Sequence, residues 1–172
     1  MPALVIKEIK PSRLRDDKLR LTLLNEMRKV GTEMKQDFEK TTATWEHKPK
    51  FTVDVSLTQP GPQLMVGTDD EIYGYVSKGT KPHAIFAGIY TGKSNKRALA
   101  FPSKSSPKTR PGVIGSTSGS RGGKTVVRPY VQHPGTKPRK FEEAIAKLWK
   151  KKFKDRMEAA MKKVARESGH GL

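Results

Sequence analysis

The chain of 172 residues contains no cysteine. That excludes a disulfide framework, a thiolate nucleophile and any cysteine-ligated zinc site, and it agrees with a reducing compartment. Apolar residues make up 34% and aromatics 7% of the chain, so the expected core is modest and part of the sequence is expected to order only against a partner. Long hydrophobic runs are missing too. The opening MPALVIKEIKPSRLRDD is apolar for only about five residues, too few for a secretory signal, and no run is long enough to span a bilayer. The expectation is one soluble domain with no membrane partner.

The most telling absence is regional. Residues 1–71 carry 12 basic and 12 acidic side chains, residues 72–141 carry 14 basic and none acidic, and residues 142–172 carry 9 and 5. The net charge of +18 therefore comes mostly from the middle of the chain. A positive field concentrated in this way favours a polyanion, through counterion release from phosphates.

What is present reads as helices around strands. Leu19, Leu23, Met27, Val30, Met34 and Phe38 recur at three- and four-residue spacings, which predicts a helix over 12–45 behind an N-terminal arm, 1–11. Phe51, Val53, Val55 and Leu57 alternate with polar residues as a half-buried strand does, and QPGP turns the chain into a returning strand. DDEIYGYVSKGT reads as a helical turn or an irregular strand, and HAIFAGIY and RALAFPS as further strands, so strands fill 50–101. Residues 102–124, rich in Gly, Ser, Pro and cations, read as a long flexible basic loop. TVVRPYVQ resumes as a strand over 125–133. Phe141, Ile145, Leu148, Trp149, Phe153, Met157, Met161 and Val164 then mark a closing helix over 138–167. The predicted fold class is α+β: a small antiparallel sheet of four to five strands packed against a long N-terminal and a long C-terminal helix, with a long basic loop.

Catalytic constellations are lacking. His47, His83, His133 and His170 stand in no metal-ligand spacing, and no HExxH, Walker A, dinucleotide fingerprint or GxSxG occurs. The carboxylates best placed for two-metal nuclease chemistry, Asp54, Asp69, Asp70 and Glu71, read more simply as a solvated loop. No catalytic residue, metal or cofactor is expected. The basic stretch has few stacking aromatics, which suits contact with phosphates rather than bases. Its candidate contacts with duplex DNA are Lys93, Lys96, Arg97, Lys104, Lys108, Arg110, Arg121, Lys124 and Arg128.

Two copies of Gly-Thr-Lys-Pro punctuate this region, at Gly79-Thr80-Lys81-Pro82 and Gly135-Thr136-Lys137-Pro138. Their exits differ, a strand-like run after Pro82 and a helical one after Pro138, so the repeat reads as one turn chemistry used in two places. Thr136 is placed to cap the last helix, with Pro138 in its first turn.

IYGYVSKGTKPHAI, then ALAFPS, a variable loop, and VRPYVQHPGTKPRKFEEAI resemble a family of tailed-bacteriophage proteins. These are the small tail-component, neck and tail-completion proteins of siphophages related to the lambdoid group. Tyr73, Tyr75, Gly79, Thr80, Pro82, Leu99, Phe101, His133, Pro134, Gly135, Thr136 and Phe141 carry the likeness. Lys78 stands where that family has an acidic residue, and Arg139-Lys140-Phe141-Glu142 replaces its usual Pro-Phe-Leu. The resemblance implies a virion protein of the head–tail junction, made in the host cytoplasm. It would assemble as a homo-oligomeric ring, six-fold favoured over twelve-fold. Its partners would be head-closure or connector proteins, tail-tube or tail-terminator proteins, and double-stranded DNA bound without sequence preference. The alternative is a stand-alone, non-specific DNA-binding protein.

Overall fold

A computed structural model describes residues 16–58, 61–115 and 119–170. Two long helices form its spine, α1 (Asp16–Thr41) and, at the other end of the chain, α4 (Phe141–Glu167). They run antiparallel. Lys18 pairs with Glu167 at one end, Arg156 reaches Glu26 and Glu33 midway, and the Trp149 indole N–H donates to Asp37 at 2.9 Å towards the other. Met27, Val30 and Phe38 from α1 and Phe141, Ile145, Trp149 and Val164 from α4 are buried, as their spacing predicts. Leu148 and Met161 lie off that buried face and are exposed.

Strands β1 (Thr52–Thr58) and β2 (Gly61–Gly67) form an antiparallel hairpin laid on α1. The fit is close at Gly31, where a Cβ would fall 2.5 Å from Val53 Cγ1. The expected helix over 12–45 is observed from Asp16 to Thr41, residues 12–15 and the 1–11 arm lying outside the described residues.

The ambiguous DDEIYGYVSKGT is a helix, α2 (Glu71–Lys78). Asp70 caps it, its side chain accepting the Tyr73 N–H at 2.8 Å. Tyr73 turns inward among Phe38, Phe51 and Phe141, with ring centroids 6.4, 5.1 and 5.5 Å away, and is the middle of the aromatic core. Burial, with Glu142 nearby, pushes its phenol well above the ordinary range.

The remaining strands do not join a four- or five-stranded sheet. They form two further two-stranded antiparallel ribbons: β3 (His83–Phe86) with β6 (Tyr130–His133), and β4 (Leu99–Ser106) with β5 (Ser120–Arg128). A sheet of more strands needs continuous ladders, and Pro82, Pro129 and Pro134 lack the N–H that would extend them. HAIFAGIY is accordingly half strand and half a short helix, α3 (Gly88–Thr91), and the predicted strand over 125–133 is split between two ribbons.

The stretch 102–124 is not a flexible loop among its described residues. Half of those residues belong to β4 and β5, and the intervening leg turns back to the core, where Thr109 is buried and Ile114 packs. The last helix also starts later than expected. Lys140 adopts a left-handed conformation (φ 56°) and breaks the approach, and the first turn is capped remotely by Ser77, whose Oγ accepts the Phe141 N–H at 3.2 Å. Thr136 does not cap it.

Candidate functional site: a basic ribbon beside a cleft

Thr136 has another role. It bridges Thr80, each backbone N–H donating to the other's carbonyl. The bridge keeps the register of β3 and β6, so His83 faces His133 and, three residues back, Thr80 faces Thr136. Pro82 then falls opposite Pro134, and the ladder is interrupted where neither partner has an N–H to give. The two Gly-Thr-Lys-Pro segments thus lie against each other, antiparallel, with the threonine pair at their centre. Each glycine is required by the other segment. Gly79 (φ 79°) would place a Cβ 2.6 Å from the Thr136 carbonyl, and Gly135 (φ 88°) one 2.3 Å from the Thr80 carbonyl.

This joint gathers the motif residues Gly79, Thr80, Pro82, His133, Pro134, Gly135 and Thr136 in one place, with Phe141 fully buried just beyond it. The His83 and His133 rings stack at 5.2 Å, a meeting that sequence spacing alone hides. His133 Nδ1 accepts the Gly135 N–H at 3.0 Å, and His83 Nδ1 lies 2.8 Å from the Lys81 carbonyl, to which it donates. Among the described residues no group of three or more His, Asp or Glu gathers that would hold a metal. Asp70 is already engaged by the cap of α2 and by His47, and those hydrogen bonds, that of His47 foremost, hold its carboxyl below the ordinary value.

Beyond the joint the β4–β5 ribbon stands largely clear of the helices. Along it Lys104, Arg121, Lys124 and Arg128 are exposed, and its strands contact chiefly each other. Lys108 and Arg110 lie on the leg that leaves β4. Lys108 is tied back, its ammonium donating to the Thr44 carbonyl at 3.0 Å, so it is less available than the ribbon cations. Lys93, Lys96 and Arg97 occupy a separate exposed turn after α3, closed by the Lys93 N–H on the Gly88 carbonyl at 3.1 Å. The nine predicted contacts therefore divide between ribbon, leg and turn.

A second surface is apolar. On β3, α3 and β6 the side chains of Phe86, Ile89, Tyr90 and Tyr130 are exposed, and the Phe86 and Tyr130 rings pair at 5.9 Å across the strands.

Between the ribbon, α2 and the segment after α1 lies a cleft of about 1010 Å³. Trp45, Ile72, Val76 and Pro134 give it apolar walls, while Lys108, Arg121, Lys137 and Arg139 give it positive charge. The backbone holds Arg139 from two sides: its N–H donates to the Ser77 carbonyl at 3.0 Å and its carbonyl accepts the Gly112 N–H at 2.9 Å. As one of fourteen cations in an acid-free stretch, Arg139 carries no sequence signal that singles it out, except that it departs from the resembled family's pattern. Comparison of the chain with family models, curated proteins and solved structures gives no match.

Proposed function

We propose that this chain is a structural protein of a phage head–tail junction, a neck or tail-completion subunit. It assembles as a ring, with its β4–β5 ribbon turned toward the DNA that passes through. The observation that carries the reading is the ribbon: four exposed cations on a two-stranded element that the other described residues leave largely uncovered, in a stretch of seventy residues without a carboxylate. An isolated two-stranded ribbon is marginal in water and gains from a partner on its faces. Phosphates met by exposed lysines and arginines are held by charge alone, so DNA can slide past without a preferred sequence.

The exposed aromatic face on β3, α3 and β6 favours a ring over a free monomer. Apolar side chains grouped on a surface mark a contact with another protein, and a ring supplies one from its own neighbours. The sequence resemblance points the same way, because seven of the residues it rests on build the joint that sets the register of β3 and β6, which carry the aromatic face.

Electron microscopy of the purified protein, with light scattering for its mass, tests the proposal. Closed rings are the expected result. A monomer that binds duplex DNA with a steep salt dependence would replace this reading with that of a stand-alone DNA-binding protein.

A further inference from the structure

Arg139 is 8% exposed, yet its Nε–H meets no acceptor, and among the described residues no carboxylate forms an ion pair with its guanidinium. Arginine does not shed its charge on burial, and a buried guanidinium N–H without an acceptor carries a desolvation cost that an acceptor brought into the cleft would relieve. The elements that form most of the cleft, α2, β5 and the segment from His133 to Arg139, fall almost wholly within the acid-free stretch and offer no counter-charge. Among the described residues Glu46 is the one carboxylate on the cleft lining, and it is exposed and does not pair with Arg139.

From this we infer that the cleft is a docking site for a segment of a partner protein, one that presents a carboxylate to Arg139 between apolar side chains. None of the described residues supplies the counter-charge, and the partner segment does. A planar guanidinium receives a carboxylate through paired hydrogen bonds, and Lys137 on the same lining adds to the attraction. The walls choose between classes of ligand. Trp45, Ile72, Val76 and Pro134 are apolar, which suits side chains flanking an acidic residue and does nothing for a nucleic-acid backbone. Duplex phosphates are met by cations that stand off a surface, as those of the ribbon do, whereas Arg139 sits in the wall of the cleft. The site does not depend on the conduit reading, since Arg139 is not among the ribbon cations.

The test uses the full chain and two synthetic peptides, acetyl-Ser-Val-Glu-Val-Ser-amide and its glutamine counterpart. NMR of the Arg139 Nε–H and the Trp45 indole N–H reads binding. The glutamate peptide is expected to shift both signals and to bind about tenfold or more tighter than the glutamine peptide. Arg139→Met, which keeps the apolar stem, is expected to abolish that preference while unfolding at an equal or higher urea concentration, because it removes a buried N–H that has no acceptor. Equal binding of the two peptides, or no shift at millimolar peptide, overturns the proposal. An Arg139→Met chain that fails to fold also overturns it, by making the guanidinium structural. Duplex DNA that shifts the Arg139 Nε–H signal would make the cleft a phosphate site and sink the protein-segment assignment.

Discussion

Thr80 and Thr136 exchange backbone hydrogen bonds of 3.0 and 3.2 Å, and in doing so lock two identical tetrapeptides against each other, 56 positions apart in the chain. The relation is reciprocal in its sterics as well as its hydrogen bonds. Gly79→Ala and Gly135→Ala each force a Cβ at positive φ into the opposite carbonyl, and each is expected to cost at least about 2 kcal/mol. Because both substitutions strain the same joint, the double variant should lose less than the sum of the two. Urea denaturation of the three variants reads this directly, and strict additivity would argue that the two turns are independent.

The second prediction concerns acid. Burial alone would raise the Asp37 carboxyl, but the hydrogen bonds from Lys40 and Trp149, with the charge of Lys40, outweigh it and hold the group below its ordinary value of 3.8. A depressed carboxylate stabilises the fold above its unfolded value, and that contribution fades as pH falls below 3.8 and through the lower folded value. Trp149→Phe keeps most of the ring volume and removes the donor, at a cost of about 1–3 kcal/mol near neutral pH. Guanidinium unfolding from pH 7 down to about 2.5 should show the gap between the variant and the parent chain narrowing as the pH falls and Asp37 takes up its proton. A gap that widens with acid would contradict the sign.

The spine of this fold is legible in the sequence because helical burial has a short period. Met27, Val30 and Phe38, or Phe141, Ile145 and Trp149, announce a face within a few turns. The pairing of strands is not, because it joins residues far apart: β3 meets β6 across more than forty positions, and no local pattern says so. Composition also misleads. Gly122, Gly123 and the serines of β4 and β5 look like loop, yet the outer end of the ribbon is exposed on both faces and has no need of alternating apolar residues. Gly74 hides α2 in the same way, although Asp70 three residues before Tyr73 is a usable capping signal. The duplicated tetrapeptide reads as one turn used twice, whereas its self-complementarity is the clue to the joint. Of the candidate site, the cations of the ribbon are found by charge alone. Arg139 is invisible, because burial without a partner is a property of the fold.

Phe86 and Tyr130 give the third prediction. They pair across β3 and β6 with both rings largely open to solvent, so little folding energy depends on them. Phe86→Ser with Tyr130→Ser is expected to leave the stability of the monomeric chain to urea within about 0.5 kcal/mol per substitution. If this face is a subunit contact, as the ring reading requires, the same double variant should lower the mass seen by light scattering at fixed concentration. An unchanged assembly would move the subunit contact elsewhere on the chain.

The last prediction separates the ribbon from the rest of the positive charge. Lys104, Lys124 and Arg128 lie on β4 and β5, outside the lining of the cleft and free of the ties that hold Lys108 to Thr44. If they meet DNA phosphates, replacing all three with serine should lower the slope of log affinity against log salt by about 0.9 for each phosphate no longer neutralised, and weaken binding equally for duplexes of any sequence. Replacing Lys93, Lys96 and Arg97 removes the same charge from the turn after α3. Should that turn not face the DNA, its variant would change the slope much less while carrying an identical net charge. The comparison therefore isolates geometry from overall charge. Equal losses from both variants would mean that the chain attracts DNA by its diffuse field, with no ribbon-specific contact.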